Sequence, residues 1–346
     1  MNSKHRKLLV GCAKFAVSFA ILGYLFHHAS QDEGFSGLSD QPRNWLLLLA
    51  ALGLGLTAIL TTMLRWYGLV RALDLPFRIR DAFRLGFIGY FFSFLTLGVM
   101  GGDTLKAIFI AREQPDKKTE AVASVIVDRV IGFYALCVMA AVAFWMVDFS
   151  DPSSQAGAEL ETLKNLGRTV FAICFAMGGV FLAMLVVPAL TGQGMQRQLG
   201  RLPLVGSTLG RLTAAAALYR RRAPVVFGMF LLSLVTHFCF SSCVYLVALG
   251  LNSPHPSFEL HFAIVPIANV CGSIPLPGGL GGFEAGLYFL YKTLSPASHG
   301  LVVALGYRII TLVIAGIGVV VYLVSRKDIQ RLLEVRDEAA APPVRD

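Results

Sequence analysis

Long apolar stretches alternate with short polar segments along nearly the whole chain. An α-helix needs about 20 mostly apolar residues to cross the hydrocarbon core of a bilayer. On this measure, six complete transmembrane helices are predicted, at residues 8–26, 44–64, 119–147, 167–190, 223–250 and 299–325. The pattern therefore predicts an all-α polytopic membrane protein.

Two further apolar segments, residues 82–110 and 259–294, do not fit this count. Each is too long for one straight span and too short for two, and glycines divide both of them. The first segment has basic residues on both flanks, whereas the second lies between two predicted connections on the opposite face. We therefore expect two re-entrant helical hairpins that enter from opposite sides. Broken backbone at that depth requires cover by protein or a water-filled cavity.

The glycine-rich parts of the two hairpins resemble each other. Residues 94–104 read Phe-Leu-Thr-Leu-Gly-Val-Met-Gly-Gly-Asp-Thr, and residues 274–284 read Ile-Pro-Leu-Pro-Gly-Gly-Leu-Gly-Gly-Phe-Glu. At a shift of 180 positions, the glycines of the first segment meet glycines of the second. The hairpin glycines of this comparison are Gly98, Gly101, Gly102, Gly278, Gly279, Gly281 and Gly282. Broken helices at corresponding places in two halves indicate a substrate site near the bilayer midplane.

The order span, span, hairpin, span occurs twice along the chain. This order predicts two membrane repeats, residues 1–147 and 148–325, followed by a cytosolic tail at residues 326–346. Each repeat has three complete crossings, and an odd number of crossings turns the second copy upside down. The sequence therefore predicts an inverted repeat.

The distribution of basic residues along the chain predicts its orientation in the membrane. The formal net charge is +9, and most basic residues fall in connections on one side of the predicted spans. Cytosolic loops carry such an excess of Lys and Arg, so both termini are expected in the cytosol. The basic surface then faces anionic lipid headgroups, and we expect no nucleic-acid partner.

Four ionisable residues fall inside the apolar segments at matching places. Asp103 and Glu284 follow the Gly-Gly pairs of the two hairpins, and Arg129 and Arg308 lie within the last span of each repeat. An ionised group at the centre of a membrane helix costs at least about 2.5–3.5 kcal/mol, so each is a candidate for function. The arginines suit phosphate, which a guanidinium binds with two hydrogen bonds. The carboxylates suit an amine or a proton.

Structural roles are open for the same residues. Either carboxylate could cap the helix that follows it. The arginines could form ion pairs between helices, with Arg129 pairing to Asp103 or to Glu284.

Two more residues complete the candidate substrate site. Lys106 lies one turn after Asp103, and Asp128 precedes Arg129 but points about 100° away from it on a helix.

Motifs of several enzyme classes are missing from the chain. It contains no Gly-x-x-x-x-Gly-Lys-Ser/Thr phosphate loop, no His-Glu-x-x-His and no Gly-x-Ser-x-Gly. The six cysteines lie in apolar runs without metal-site spacing. We therefore expect no enzymatic activity, no cofactor and no metal.

Three motifs resemble those of a known family. They are Gly101-Gly-Asp103 with Lys106, residues 127–132 (Val-Asp-Arg-Val-Ile-Gly), and residues 275–284. Together they resemble the flippase-like transmembrane module of lysylphosphatidylglycerol synthases, the multiple peptide resistance factors, in a stand-alone form. The resemblance implies a bacterial inner-membrane protein whose partner is a membrane lipid that it moves between leaflets. Because the chain ends soon after the sixth predicted span, no lysyl transfer chemistry is expected.

The leading hypothesis is translocation of a phospholipid or another headgroup-bearing lipid. The first alternative is a secondary transporter of a small anionic or zwitterionic solute, because inverted repeats serve that class too. The second is an accessory subunit of a lipid or polysaccharide synthase, which would make a lipid-synthesis enzyme a partner.

Overall fold

The architecture is taken from a computed structural model that describes residues 42–95, 99–146, 157–200, 206–273, 280–295 and 298–339, together with residues 23, 24 and 27. All regular secondary structure in these ranges is helical. The α-helices are α1 (Trp45–Ala72), α2 (Ile79–Leu95), α3 (Val99–Glu113), α4 (Lys118–Met146), α5 (Gly157–Val186), α6 (Pro188–Thr191), α7 (Gln193–Gly200), α8 (Gly206–Tyr219), α9 (Ala223–Gly250), α10 (Phe258–Gly272), α11 (Gly282–Leu294) and α12 (Gly300–Ala339).

Four helical stretches are long and apolar enough to cross a membrane. They are Trp45–Ala72, Pro115–Met146, Leu209–Gly250 and Gly300–Ser325. They contain the predicted spans 44–64, 119–147, 223–250 and 299–325 to within one residue at the outer ends. The predicted span 8–26 lies almost entirely outside the described residues. The chain is thus a multi-pass membrane protein.

The predicted span 167–190 ends earlier than expected. Helix α5 stops at Val186, and Val187 is extended with φ −98° and ψ 103° before Pro188. A residue that precedes proline is driven out of the helical region by a clash with the proline ring. Its apolar described part, Gly167–Phe181, is shorter than a complete span.

Each of the two remaining apolar segments contains a pair of short helices. The described residues of 82–110 lie in α2 and α3, and most of the described residues of 259–294 lie in α10 and α11. These four helices have 13 to 17 residues, which gives lengths of about 20–25 Å. Each is too short to cross a hydrocarbon core of about 30 Å. The two helices of each pair pack against each other.

The two helix pairs open at opposite ends of the bundle. Helices α1 and α9 are antiparallel, because the Asn44 N–H donates to the Gly250 carbonyl (2.9 Å) at one end. At the other end, Gly68 of α1 lies against Met229 of α9. The connection from α1 to α2 and the connection from α9 to α10 therefore lie at opposite ends.

Each main contact between helices has an equivalent contact after the two halves are exchanged. Helix α2 packs on α12, and α10 packs on α4; likewise α3 packs on α4, and α11 packs on α12. Exchanging α1, α2, α3 and α4 for α9, α10, α11 and α12 maps the main contacts among these eight helices onto themselves. An internal repeat predicts this pattern.

The pairs meet in the main apolar core. Tyr90 of α2 and Phe283 of α11 pack in the same cluster as Tyr307 of α12. The ring centroids of Phe283 and Tyr307 are 5.0 Å apart. Residues from both broken segments thus converge on one part of α12, next to Arg308.

Candidate functional site

Glycines let the helices of each pair approach closely. A side chain on Gly102 would overlap the Gly89 carbonyl oxygen of α2, and a Cβ on Gly282 would lie 2.5 Å from the Cys271 carbonyl oxygen of α10. Gly281 has φ 91°, in the left-handed region that favours glycine. Of the other predicted hairpin glycines, Gly101 lies in α3, and Gly98, Gly278 and Gly279 fall outside the described residues.

The second helix of the first pair starts earlier than the glycine pattern suggests. Helix α3 begins at Val99, so Gly101 and Gly102 lie in its first turn and Asp103 follows that turn. In the second pair, Gly281 is the N-cap and Glu284 is the third helical residue. Asp103 is thus too far from the start of α3 to act as the N-cap, whereas Glu284 lies in the first turn.

Glu284 forms both interactions that the sequence left open. Its Oε2 accepts a hydrogen bond from the Gly281 N–H (2.9 Å) at the start of α11. Its Oε1 accepts from Arg308 Nε (2.6 Å) and Nη2 (2.5 Å). The Glu284 side chain is 1% exposed and that of Arg308 is 16% exposed. We call Glu284 and Arg308 the outer pair.

Asp103 and Arg129 form the equivalent pair in the first half, which we call the inner pair. Arg129 Nη2 donates to Asp103 Oδ1 (2.5 Å), and Arg129 Nε also contacts Asp103 Oδ2. Of the two predicted partners for Arg129, the structure selects Asp103. The Arg129 side chain is 44% exposed, although it lies about 17 Å along α4. Both pairs join the second helix of a broken segment to the last span of the same half.

Asp128 pairs with a residue that the sequence analysis did not include in the site. Arg65 of α1 donates from Nε to Asp128 Oδ1 (2.7 Å) and from Nη2 to Oδ2 (3.0 Å). Its remaining terminal nitrogen donates to Ser233 Oγ of α9 (2.9 Å). The Arg65 and Asp128 side chains are 4% and 3% exposed. Both oxygens of Asp128 are therefore occupied by a buried ion pair.

The sequence pattern did not mark Arg65, because it lies one residue beyond the predicted span 44–64. Helix α1 continues to Ala72, so Arg65 lies seven residues inside its end. One signal was available, because Arg65 shares a helix face with Thr61 and Leu69 at spacings of four. Gly132 of α4 makes room for it, since a Cβ there would lie 3.0 Å from Arg65 Nη1.

Lys106 lies beside the inner pair without an ion pair of its own. Its side chain is buried, and its ammonium lies 5.1 Å from the centroid of the Trp66 ring. In the parts of the chain that the structure describes, it has neither a salt bridge nor a hydrogen-bond acceptor. Asp103, Asp128, Arg129 and Arg65 all act on it electrostatically.

The six predicted site residues thus fall into two clusters. The inner cluster comprises Arg65, Asp103, Lys106, Asp128 and Arg129, and the outer cluster comprises the outer pair alone. Three cations and two carboxylates give the inner cluster a formal charge of +1, whereas the outer pair is neutral. Within the described ranges, no group of three or more His, Cys, Asp or Glu side chains could hold a metal ion.

The sequence agrees with the family that the three motifs suggested. A family model described as the lysylphosphatidylglycerol synthase TM region matches residues 11–318. No curated protein matches the chain. Because the matched residues include both broken segments and both charged clusters, the chain belongs to the family of the lysylphosphatidylglycerol synthase transmembrane region.

Proposed function

We propose that this protein moves a phospholipid or another headgroup-bearing lipid between the leaflets of the bacterial inner membrane. The polar path is lined by two opposed re-entrant hairpins, α2–α3 and α10–α11, which belong to the inverted repeats 1–147 and 148–325. Both termini lie in the cytosol. The observation that carries the proposal is that each hairpin places a carboxylate on an arginine of the last span in the same half.

The ion pairs offer a way to carry a charged headgroup at little net cost. A buried charge is strongly unfavourable unless it is paired. A phosphate presents oxygens to a guanidinium in much the same way as a carboxylate does. The headgroup phosphate therefore replaces Asp103 on Arg129, while Asp103 accepts an amine or a proton. The same exchange follows on Arg308 and Glu284, and the acyl chains stay in the lipid.

The two pairs differ in accessibility, which supports an order of events. Arg129 is 44% exposed, whereas Arg308 is 16% exposed and Glu284 is 1% exposed. A headgroup from the cytosolic leaflet thus reaches the inner pair first. Rocking of one repeat against the other then opens the outer pair, as in other inverted-repeat transporters. Translocation in this scheme moves the lipid without making or breaking a covalent bond.

The test is translocation of fluorescent lipid by purified protein in liposomes. A membrane-impermeant reductant quenches the outer leaflet, and the rate of further quenching measures translocation. We expect Arg308→Ala and Glu284→Ala to reduce the rate at least tenfold. Arg222→Ala is the matched control, because Arg222 forms an exposed ion pair with Asp74 (2.6 Å) at the end of the bundle. This control should translocate lipid at the wild-type rate.

A charge-swapped protein separates a structural ion pair from a transport role. Glu284→Arg combined with Arg308→Glu keeps the two charges together but exchanges their positions. We expect a folded protein that translocates slowly, because phosphate would meet the wrong charge. Normal translocation by the swapped protein, or by folded Arg308→Ala, would refute the assignment. Saturable solute uptake without lipid movement would instead favour a solute transporter, and an inert protein that acts only with a synthase would favour the accessory subunit.

A further inference from the structure

The two charged clusters are not equivalent, although the helices around them are. In the register that places Arg129 on Arg308, Asp128 corresponds to Tyr307. At the 180-residue shift, Lys106 corresponds to Gly286, and Arg65 corresponds to Tyr245. The outer half therefore has uncharged residues at three positions that are charged in the inner half.

The surplus charge of the inner cluster belongs to Lys106. Arg65 occupies both oxygens of Asp128, and Arg129 contacts both oxygens of Asp103. Lys106 thus remains a buried cation over the Trp66 ring. An unpaired buried charge is costly, so this arrangement is expected where a ligand supplies the opposite charge.

A second donor at the same place also lacks an acceptor. The Trp66 Nε1 hydrogen is buried and finds no acceptor in the described part of the chain. Arg129, in contrast, keeps an exposed edge beside Asp103. The cluster therefore combines a surplus positive charge, unsatisfied donors and an accessible guanidinium. This combination suits a tetrahedral oxyanion better than an uncharged headgroup, which cannot compensate the surplus charge.

We propose that Lys106 and Arg129 form a phosphate-binding site that selects lipids with a phosphodiester headgroup at the cytosolic side of the path. The inference rests on the proposed function for the source of the phosphate, a lipid rather than a free anion. The outer cluster, which lacks this surplus charge, binds the same headgroup more weakly. The phosphodiester compensates the +1 charge of the inner cluster on binding and leaves that charge behind on release to the outer half.

Trp66 gives a direct measure of occupancy, because the ammonium over its ring would shift toward a bound phosphate. The chain has three tryptophans, and the other two, Trp45 and Trp145, are exposed. The variant Trp45→Phe/Trp145→Phe therefore reports on Trp66 alone. The full-length protein in uncharged detergent is titrated with short-chain phosphatidylglycerol, short-chain glucosyl diacylglycerol or inorganic phosphate.

We expect a saturable change in Trp66 fluorescence with phosphatidylglycerol and no change with the glucosyl lipid. Lys106→Met should weaken the apparent affinity at least about tenfold, since a charged hydrogen bond is lost. Lys106→Arg should retain binding. Lys292→Met is the matched control, because Lys292 also lies over an aromatic ring, that of Tyr288 (5.8 Å), but in α11. Its affinity should equal that of the parent protein.

The Lys106→Met variant separates an effect on lipid binding from an effect on folding. Removing Lys106 leaves two paired carboxylates and two paired arginines, so the Lys106→Met protein should unfold at the same temperature as its parent or higher. A saturable response to the glucosyl lipid, or unchanged affinity in Lys106→Met, would overturn the proposal. Inorganic phosphate as tight as phosphatidylglycerol would overturn the lipid as the source. Binding without translocation in liposomes would contradict the proposed function but leave the phosphate site standing.

Discussion

The buried pair of Arg65 and Asp128 allows a double-mutant test of the charge network. Removing one partner of a buried ion pair costs about 3–5 kcal/mol, because the other charge is left without compensation. Asp128→Asn raises the formal charge of the inner cluster from +1 to +2. Arg65→Met lowers it to zero, and Lys106 can then face the free carboxylate of Asp128. We therefore expect the free energy of unfolding to fall by about 5 kcal/mol for Asp128→Asn and by about 3 kcal/mol for Arg65→Met.

The double variant Arg65→Met/Asp128→Leu should lose far less unfolding free energy than the two single variants lose together. Replacing both members of a buried pair by apolar residues is often close to neutral. Ser233 keeps a partner in this variant, because its hydroxyl also donates to the Met229 carbonyl (3.0 Å). We expect a loss under about 2 kcal/mol, which corresponds to a coupling energy of several kcal/mol.

Equilibrium unfolding in mixed micelles with increasing dodecyl sulfate measures these free energies. Tryptophan fluorescence follows the transition, since the buried Trp66 lies one residue from Arg65. Additive losses in the double variant would refute the reasoning, because they would show that Arg65 and Asp128 act independently. An Asp128→Asn protein within about 1 kcal/mol of wild type would refute it too, since no buried pair would then be at stake.

Other predictions concern packing and hydrogen bonding near the broken segments. Gly102→Ala and Gly282→Ala should each destabilise the protein by about 1–3 kcal/mol, because the added methyl group meets backbone of the facing helix. Gly316→Ala is the control for the same unfolding assay, since nothing lies within 4 Å of its Cβ position, and a destabilised Gly316→Ala would contradict this explanation. Tyr291→Phe removes the hydrogen bond between the Tyr291 hydroxyl and His261 Nε2 (2.6 Å) and should cost about 1–3 kcal/mol. An unchanged unfolding free energy for Tyr291→Phe would show that the buried imidazole needs no partner there.

Much of the helical framework was predictable from the sequence, because hydropathy reports directly on burial in lipid. The span predicted at 223–250 coincides with α9, and the span predicted at 119–147 differs from α4 by one residue at each end. The boundary near Pro188 was placed too late, since apolar residues continue past the point where proline ends the helix. Hydropathy counts apolar residues and does not register backbone strain.

Part of the charged site was predictable for a similar reason. Asp103, Glu284, Arg129 and Arg308 stood out because a charge inside an apolar run needs a partner. Their pairing within each half required knowledge of which helices pack together, and the sequence left Arg129 with two candidates. Arg65 escaped notice because its depth depends on how far α1 extends beyond the predicted span. The pattern of residue types does not show that α1 continues to Ala72.

The most direct test of the account is the rate at which the wild-type protein moves a fluorescent phospholipid across the bilayer of reconstituted liposomes. Protein-free liposomes and liposomes with the folded Arg308→Ala protein serve as references. We expect rapid loss of the protected inner-leaflet signal with wild-type protein and a rate close to the protein-free value with Arg308→Ala. Equal rates in all three preparations, with the protein shown to be folded and inserted, would contradict the claim that this protein translocates lipids.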